Sequence, residues 1–170
     1  MDKVNVMVVT TAKGPSKQKA AGVFIIEHLK DGIPHTKEGF LFDEHITGVD
    51  LTIRLLCNAI YILTKAKIEL ESIYIVTEEP IVTSAFTQKW IDKWIANDWK
   101  KPNGAAVQNS DDWKKLVELL EGLSKRYIFG NTSTSYFHIM HLWAEKYYKL
   151  KTLGEFFEEK ERLRNETGNR

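Results

Sequence analysis

Residues 87–116, TQKWIDKWIANDWKKPNGAAVQNSDDWKKL, constrain the chain more than any other stretch, because they hold four of its five tryptophans. Trp90 and Trp94 stand at i and i+4, so on a helix they share one face. Trp99 falls where that helix should end, just ahead of Lys100, Lys101, Pro102 and the turn pair Asn103-Gly104. A second helix is expected to start at Ser110 or Asp111, residue types that cap helix N-termini, with Trp113 in its first turn. The reading is helix, basic loop, helix, with an aromatic floor under Lys89, Lys93, Lys100 and Lys101.

A length of 170 residues suits one domain with a real core, and 43% hydrophobic with 28% charged residues is an ordinary globular balance. The formal net charge of +1 excludes a molecule that attracts nucleic acid as a whole, so any such binding has to come from a local patch. Cys57 is the single cysteine, which excludes an internal disulfide and points to a reducing compartment, the cytoplasm. No signal peptide and no apolar run long enough for a bilayer is present, so no membrane partner is expected.

Along the chain, residues 4–9 (VNVMVV) are continuous and β-branched, as in a buried central strand. Residues 10–19 form a loop and 20–29 a second strand. Asp31-Gly32 is a hairpin turn pair, so 35–43 return as a third strand. Residues 48–67 repeat apolar positions at helical spacing. Residues 72–77 are a short buried strand. Pro80 opens a helix that runs, with a kink, into the tryptophan segment. A helix over 111–123 precedes a fifth strand over 125–129 and a loop over 130–135. Residues 136–150 form an aromatic helix, and 153–164 a separate charged one. The expected division is a domain over 1–150 and a charged tail over 151–170. A hairpin meander followed by helix-linked strands predicts an α/β fold: a five-stranded mixed sheet, first three strands antiparallel, with helices on both faces.

The pattern WIxxWxxxxWKK, a short Lys/Pro/Asn loop, then NxDxWxxL resembles the central helix and basic handle of type 1 ribonuclease H. The order of elements over residues 3–149 is similar too. That resemblance implies a ribonuclease H-like fold and an enzyme that cuts the RNA strand of an RNA/DNA hybrid with two Mg²⁺ ions held by four carboxylates. It also implies where those carboxylates should stand. The first strand ends Val8-Val9-Thr10-Thr11-Ala12, with Thr10 where the metal-bridging Asp is expected. On the first helix Val49-Asp50-Leu51 matches the Met-Glu-Leu motif, with Asp50 one methylene shorter. Thr77-Glu78-Glu79 matches the end of the fourth strand, with Glu78 one methylene longer. In the loop, Gly130-Asn131 keeps the glycine and replaces the histidine by Asn131. His141 falls opposite the last carboxylate. Asp50 and Glu78 are thus the catalytic remnants and weak metal candidates; Thr10, Asn131 and His141 replace the other positions. Two carboxylates in place of four predict no bound metal cofactor.

Other constellations carry less. His138, His141 and Glu145 could share a helix face as metal ligands, but an aromatic helix with two histidines accounts for them. Thr132 to Ser135 have no nucleophile elbow around them, and Gly14-Pro15-Ser16-Lys17 lacks phosphate-loop spacing. The expected function is a non-catalytic module that binds RNA/DNA hybrid or other nucleic acid weakly through Lys89, Trp90, Lys93, Trp94, Trp99, Lys100 and Lys101. Two alternatives stand beside it. One is a hybrid ribonuclease with an Mg²⁺ site rewired onto Asp50, Glu78 and Glu79. The other is a protein-interaction domain with a protein partner.

Overall fold

The computed structural model describes residues 2–66, 70–123, 127–130 and 134–168. Strands β1 (Asp2–Thr10), β2 (Gln18–Lys30) and β3 (Ile33–Ile46) are followed by helix α1 (Gly48–Lys65) and strand β4 (Leu70–Thr77). Helices α2 (Pro80–Thr87), α3 (Trp90–Ala96) and α4 (Ser110–Gly122), strand β5 (Tyr127–Gly130) and helix α5 (Tyr136–Gly168) complete the chain. The sheet order is β3-β2-β1-β4-β5. β1, β2 and β3 are antiparallel, while β4 runs parallel to β1 and β5 parallel to β4. This is the expected five-stranded mixed sheet.

The meander follows from local chemistry. Asp31 and Gly32 both take positive φ, 52° and 78°, as a two-residue hairpin turn between twisted strands requires. Alternation along β1 then assigns two cores. Val4, Val6 and Val8 face the larger one with Leu51, Leu55 and Trp113; Met7 and Val9 face the smaller one with Met140 and Ala144 of α5. Thr47 caps α1 by accepting from the Asp50 N–H at 3.1 Å.

Three local expectations are corrected. The helix from Pro80 is broken rather than kinked: Lys89 sits at φ 60° between α2 and α3. Asn109, also left-handed, occupies the N-cap of α4, so Ser110 and Asp111 are inside the helix. And no break separates residues 150 and 153. α5 is one helix of 33 residues that crosses the expected boundary at 150. Nothing between Leu150 and Leu153 stops it; the Thr152 hydroxyl donates back to the Tyr148 carbonyl at 2.9 Å. Gly154 weakens a helix by only about 1 kcal/mol relative to Ala. The chain's expected strand residues Lys125 and Arg126 lie outside the described residues, as does Lys67. Among the described residues no helix is long and apolar enough to cross a membrane.

Candidate nucleic-acid interface and adjoining cleft

Because β1 and β4 are parallel neighbours, with Val8 opposite Thr77, their C-terminal ends open at one place. A cleft of about 250 Å³ forms there, with Thr10, Thr52, Glu78, Glu79, His141 and Glu145 among its lining. Tight packing of α1 against the β1 end closes one wall. A Cβ on Gly48 would stand 3.1 Å from the Ala12 Cβ and 3.4 Å from the Glu79 Oε2, so a side chain here would push against the β1 end where glycine packs freely. α5 supplies the opposite wall. His141 Nε2 is hydrogen-bonded to the Glu78 Oε1 at 2.5 Å. Burial pushes the Glu79 carboxyl up from its ordinary range, with the Ile81 N–H partly opposing it.

Thr10, Glu78 and His141 therefore converge as expected, but Asp50 does not join them. Its place on the α1 wall is taken by Thr52, 3% exposed. The reason is helical phase. Gly48 and Thr52 are i and i+4 and face the cleft together, whereas a residue two positions from both points ~200° away. Asp50 turns instead towards β3 and α4. Its Oδ2 lies 3.1 Å from Arg54 Nη2, and the same guanidinium reaches Asp43 at 3.5 Å and Asp112 at 3.4 Å. The other oxygen, Oδ1, is buried with no hydrogen-bond partner. Burial and then the hydrogen bond it shares with Asp112 push the Asp50 carboxyl up to about 7, while that bond holds Asp112 below its ordinary range. Sequence reading missed Thr52. Counting turns from the Thr47 cap, rather than matching a local carboxylate, would have found it. Asn131, Thr132 and Ser133 lie outside the described residues.

The donor set can now be compared with the metal pair that the resemblance implies. Mg²⁺ takes hard, preferably anionic oxygens. This cleft presents threonine hydroxyls, an imidazole and three carboxylates, Glu78, Glu79 and Glu145, of which Glu78 is already bonded to that imidazole. Among the described residues no group of three or more His, Cys, Asp or Glu side chains is placed to hold a metal ion. The residues do not fit a two-magnesium site. His138 is no part of the cleft lining, whereas His141 and Glu145 share it with Glu78 and Glu79.

The handle is built as its spacing predicts. Trp94 is its hub, with ring centroids 6.3 Å from Trp90, 6.1 Å from Trp99 and 5.4 Å from the buried Trp113. Lys114 Nζ stands 5.9 Å over the Trp99 ring, a cation–π distance. The loop between α3 and α4 is tightly held. The Trp99 N–H donates to the Trp94 carbonyl at 2.6 Å, and the Val107 N–H to the Trp99 carbonyl at 2.9 Å. Lys100 and Ala106 form a β-bridge. The Asn97 side chain donates to the Lys100 carbonyl at 2.7 Å. Asp98 and Trp99 hold φ of 51° and 57°, a conformation that is costly for a bulky residue and persists because these contacts impose it. Lys89, Lys93, Lys100 and Lys101 all project into solvent from this frame. A larger cavity of about 430 Å³, lined by Gly14, Gly48, Glu79, Trp94, Lys101 and Trp113 among others, joins the handle to the cleft.

No family model matches the chain. It is 39% identical over 57 residues to a ribonuclease H of Clostridium botulinum, a match covering 34% of this chain and 38% of that protein. A ribonuclease H of Caldicellulosiruptor saccharolyticus is 27% identical over 115 residues, covering 68% of this chain and 75% of the relative. Among solved structures, a type 1 RNase H with the type 2 active-site motif superposes with a TM-score of 0.65 at 14% identity, over 86% of this chain and 70% of the other. LC11-RNase H1 in complex with RNA/DNA hybrid does so at 0.61 and 11% identity, over 84% and 94%. The sheet order, the handle and these superpositions define the ribonuclease H fold. In sequence the chain is similar to ribonucleases H over part of its length. The match spans less than two fifths of the first relative's length.

Proposed function

We propose that this chain is a non-catalytic module that binds nucleic acid, RNA/DNA hybrid foremost, through its tryptophan-braced handle. The observation that carries the reading is a contrast within one molecule. The handle has an aromatic frame and four solvent-facing lysines, while the adjoining cleft, though lined by Glu78, Glu79 and Glu145, has hydroxyls and an imidazole at Thr10, Thr52 and His141, where the resemblance implies carboxylates. A solved neighbour of the same fold is in complex with RNA/DNA hybrid, which supports the ligand class.

The chemistry of such binding is phosphate neutralisation. Lys89, Lys93, Lys100 and Lys101 carry positive charge along one edge, diluted by exposed Asp92, Asp98 and Asp111. Neutralising some three or four phosphates predicts a log–log salt slope of about −3, and affinity on the order of micromolar or weaker at physiological salt. Phosphate contacts carry no base information, so sequence preference should be small. A ribonuclease rewired onto Asp50, Glu78 and Glu79 would need Asp50 in the cleft, and it faces α4.

The test is cleavage and binding measured side by side on RNA/DNA hybrid, duplex DNA and single strands, with Mg²⁺ and Mn²⁺. Hybrid binding without cleavage is expected. Absence of binding to every form at low salt would overturn the reading in favour of a protein-interaction domain, and metal-dependent cleavage would overturn it in favour of an enzyme.

A further inference from the structure

The first half of α5 packs on the sheet through Met140 and Ala144; its opposite side is uncovered along the whole helix. Leu142, Leu150, Leu153, Phe156, Phe157 and Leu163 all lie there, the two phenylalanines 60% and 58% exposed. At ~100° per residue these six fall within one arc of about 140°, centred opposite Ala144. Together they leave roughly 500 Å² of apolar surface in one stripe, a size at which a surface patch is commonly functional. At the upper end the stripe deepens into a groove of about 190 Å³ walled by Phe40, Trp143, Tyr147 and Leu150, room for one inserted side chain.

Charge on this face is mostly positive, with Glu38 of β3 at the groove and Glu145 at the edge of the arc as its acidic neighbours. Lys146, Lys149, Lys160 and Arg164 fall inside the same arc, all exposed. The glutamates of this half of the helix, Glu155, Glu158, Glu159 and Glu161, fall outside it. Other cations of the helix are already engaged elsewhere: Arg162 with Glu159 and Glu166, Lys151 over the Tyr147 ring. We infer that the outer face of α5 docks an acidic amphipathic helix of a partner protein, apolar side chains on the stripe and carboxylates between the cations.

Placement of the cations selects this occupant. They sit in the middle of the arc, between Phe156 and Leu163 on one side and Leu150 and Phe157 on the other. A helix lying in a bilayer surface keeps its cations at the edges of the apolar face, near the headgroups; here, sinking the stripe into acyl chains would bury them. Two copies of the same face would oppose like charges. Nucleic acid would satisfy the cations and leave the apolar stripe in water. A partner helix with interleaved leucines and glutamates meets both requirements. The handle packs on the opposite face of the sheet from α5, so both surfaces can be occupied at once.

The experiment titrates the whole chain against a labelled helical peptide with a leucine seam flanked by glutamates, read by fluorescence anisotropy. Saturable binding is expected, weakened ~10-fold or more by Lys146→Glu with Lys149→Glu, and equally by Leu153→Asp with Phe157→Asp. Lys100→Glu with Lys101→Glu should leave it unchanged, which separates this surface from the nucleic-acid reading. A scrambled peptide of the same composition should not bind. The inference is overturned by absence of saturable binding or by equal binding of the scrambled peptide. It is equally overturned by tighter partitioning onto phosphatidylserine vesicles than onto the peptide, or by sedimentation showing self-association that the Leu153 and Phe157 changes abolish.

Discussion

Replacing Asp50 by Asn should stabilise this protein at neutral and alkaline pH, and the gain should disappear in acid. The Asp50 carboxyl, 8% exposed, is raised from 3.8 to about 7 by burial and by the bond it shares with Asp112. A carboxyl raised on folding contributes its full stability below its unfolded pKa. That contribution is lost as pH climbs through the folded value, because the folded chain must then ionise a buried group. Three units at 1.36 kcal/mol each give a gross effect of about 4 kcal/mol. Asp112 moves the opposite way, since the proton on Asp50 stabilises its ionised form. The pair shares that proton, so the net effect is smaller than this gross figure. Asn mimics the protonated acid: its amide can donate to Asp112 and its carbonyl can accept from Arg54. Thermal melts by circular dichroism from pH 4 to 8.5 should show the two proteins alike near pH 4. By pH 8 the variant should melt higher by roughly 4–10 °C. A difference that stays constant with pH, or a variant less stable at pH 8, would refute the assignment of a shared proton at this site.

Lys100→Glu with Lys101→Glu should weaken hybrid binding ~10-fold or more while leaving the melting temperature within about 1 °C, because both side chains are exposed; filter binding and a melt on the same sample decide it. Trp94→Ala should cost about 3 kcal/mol in urea unfolding, since the ring contacts three other indoles, and should weaken hybrid binding by loosening the loop. Thr10→Asp, Thr52→Glu and His141→Asp together should create Mg²⁺ affinity measurable by calorimetry where the parent shows little. The same triple change without Thr52→Glu should bind Mg²⁺ more weakly, and equal affinity for the two would show that Thr52 is not the position that matters.

Most of the fold was legible because its signals are local. An Asp-Gly turn dictates a hairpin, a β-branched run dictates a central strand, and four tryptophans at fixed spacing can only brace one another. Each survives an error of a residue or two in register. The cleft does not. Asp50 and Thr52 are two residues apart, and on a helix that is the difference between the cleft and the Arg54 cluster. A carboxylate near the right place in the sequence drew the eye, although the side chain that enters the cleft carries only a hydroxyl. The break at Lys89 was illegible for a different reason: a left-handed lysine is locally unfavourable, and here it stands between Phe86 and Lys93 in backbone hydrogen bonds, beside Trp90 packed on Trp94 and Trp94 on Trp113. Continuity of α5 was hidden by composition. The turn from aromatic to charged sequence after Leu150 reads as a boundary, but it marks where the helix leaves the sheet, and its backbone has no reason to stop there.

The replacements in the cleft form a consistent set. Four carboxylates at the ends of two strands and two helices repel one another unless a divalent cation stands among them. At three of the positions where the resemblance implies a carboxylate, this cleft has Thr10, Thr52 and His141, none of which needs a cation. Thr10 accepts from the Ala12 N–H at 3.3 Å and so ties down the strand end; Thr52 is a small buried hydroxyl; His141 gives Glu78 a hydrogen-bonding partner within the chain. Two further carboxyls, Glu79 and Glu145, line the same cleft, and burial raises Glu79 above its ordinary range, which eases the repulsion among them without a cation.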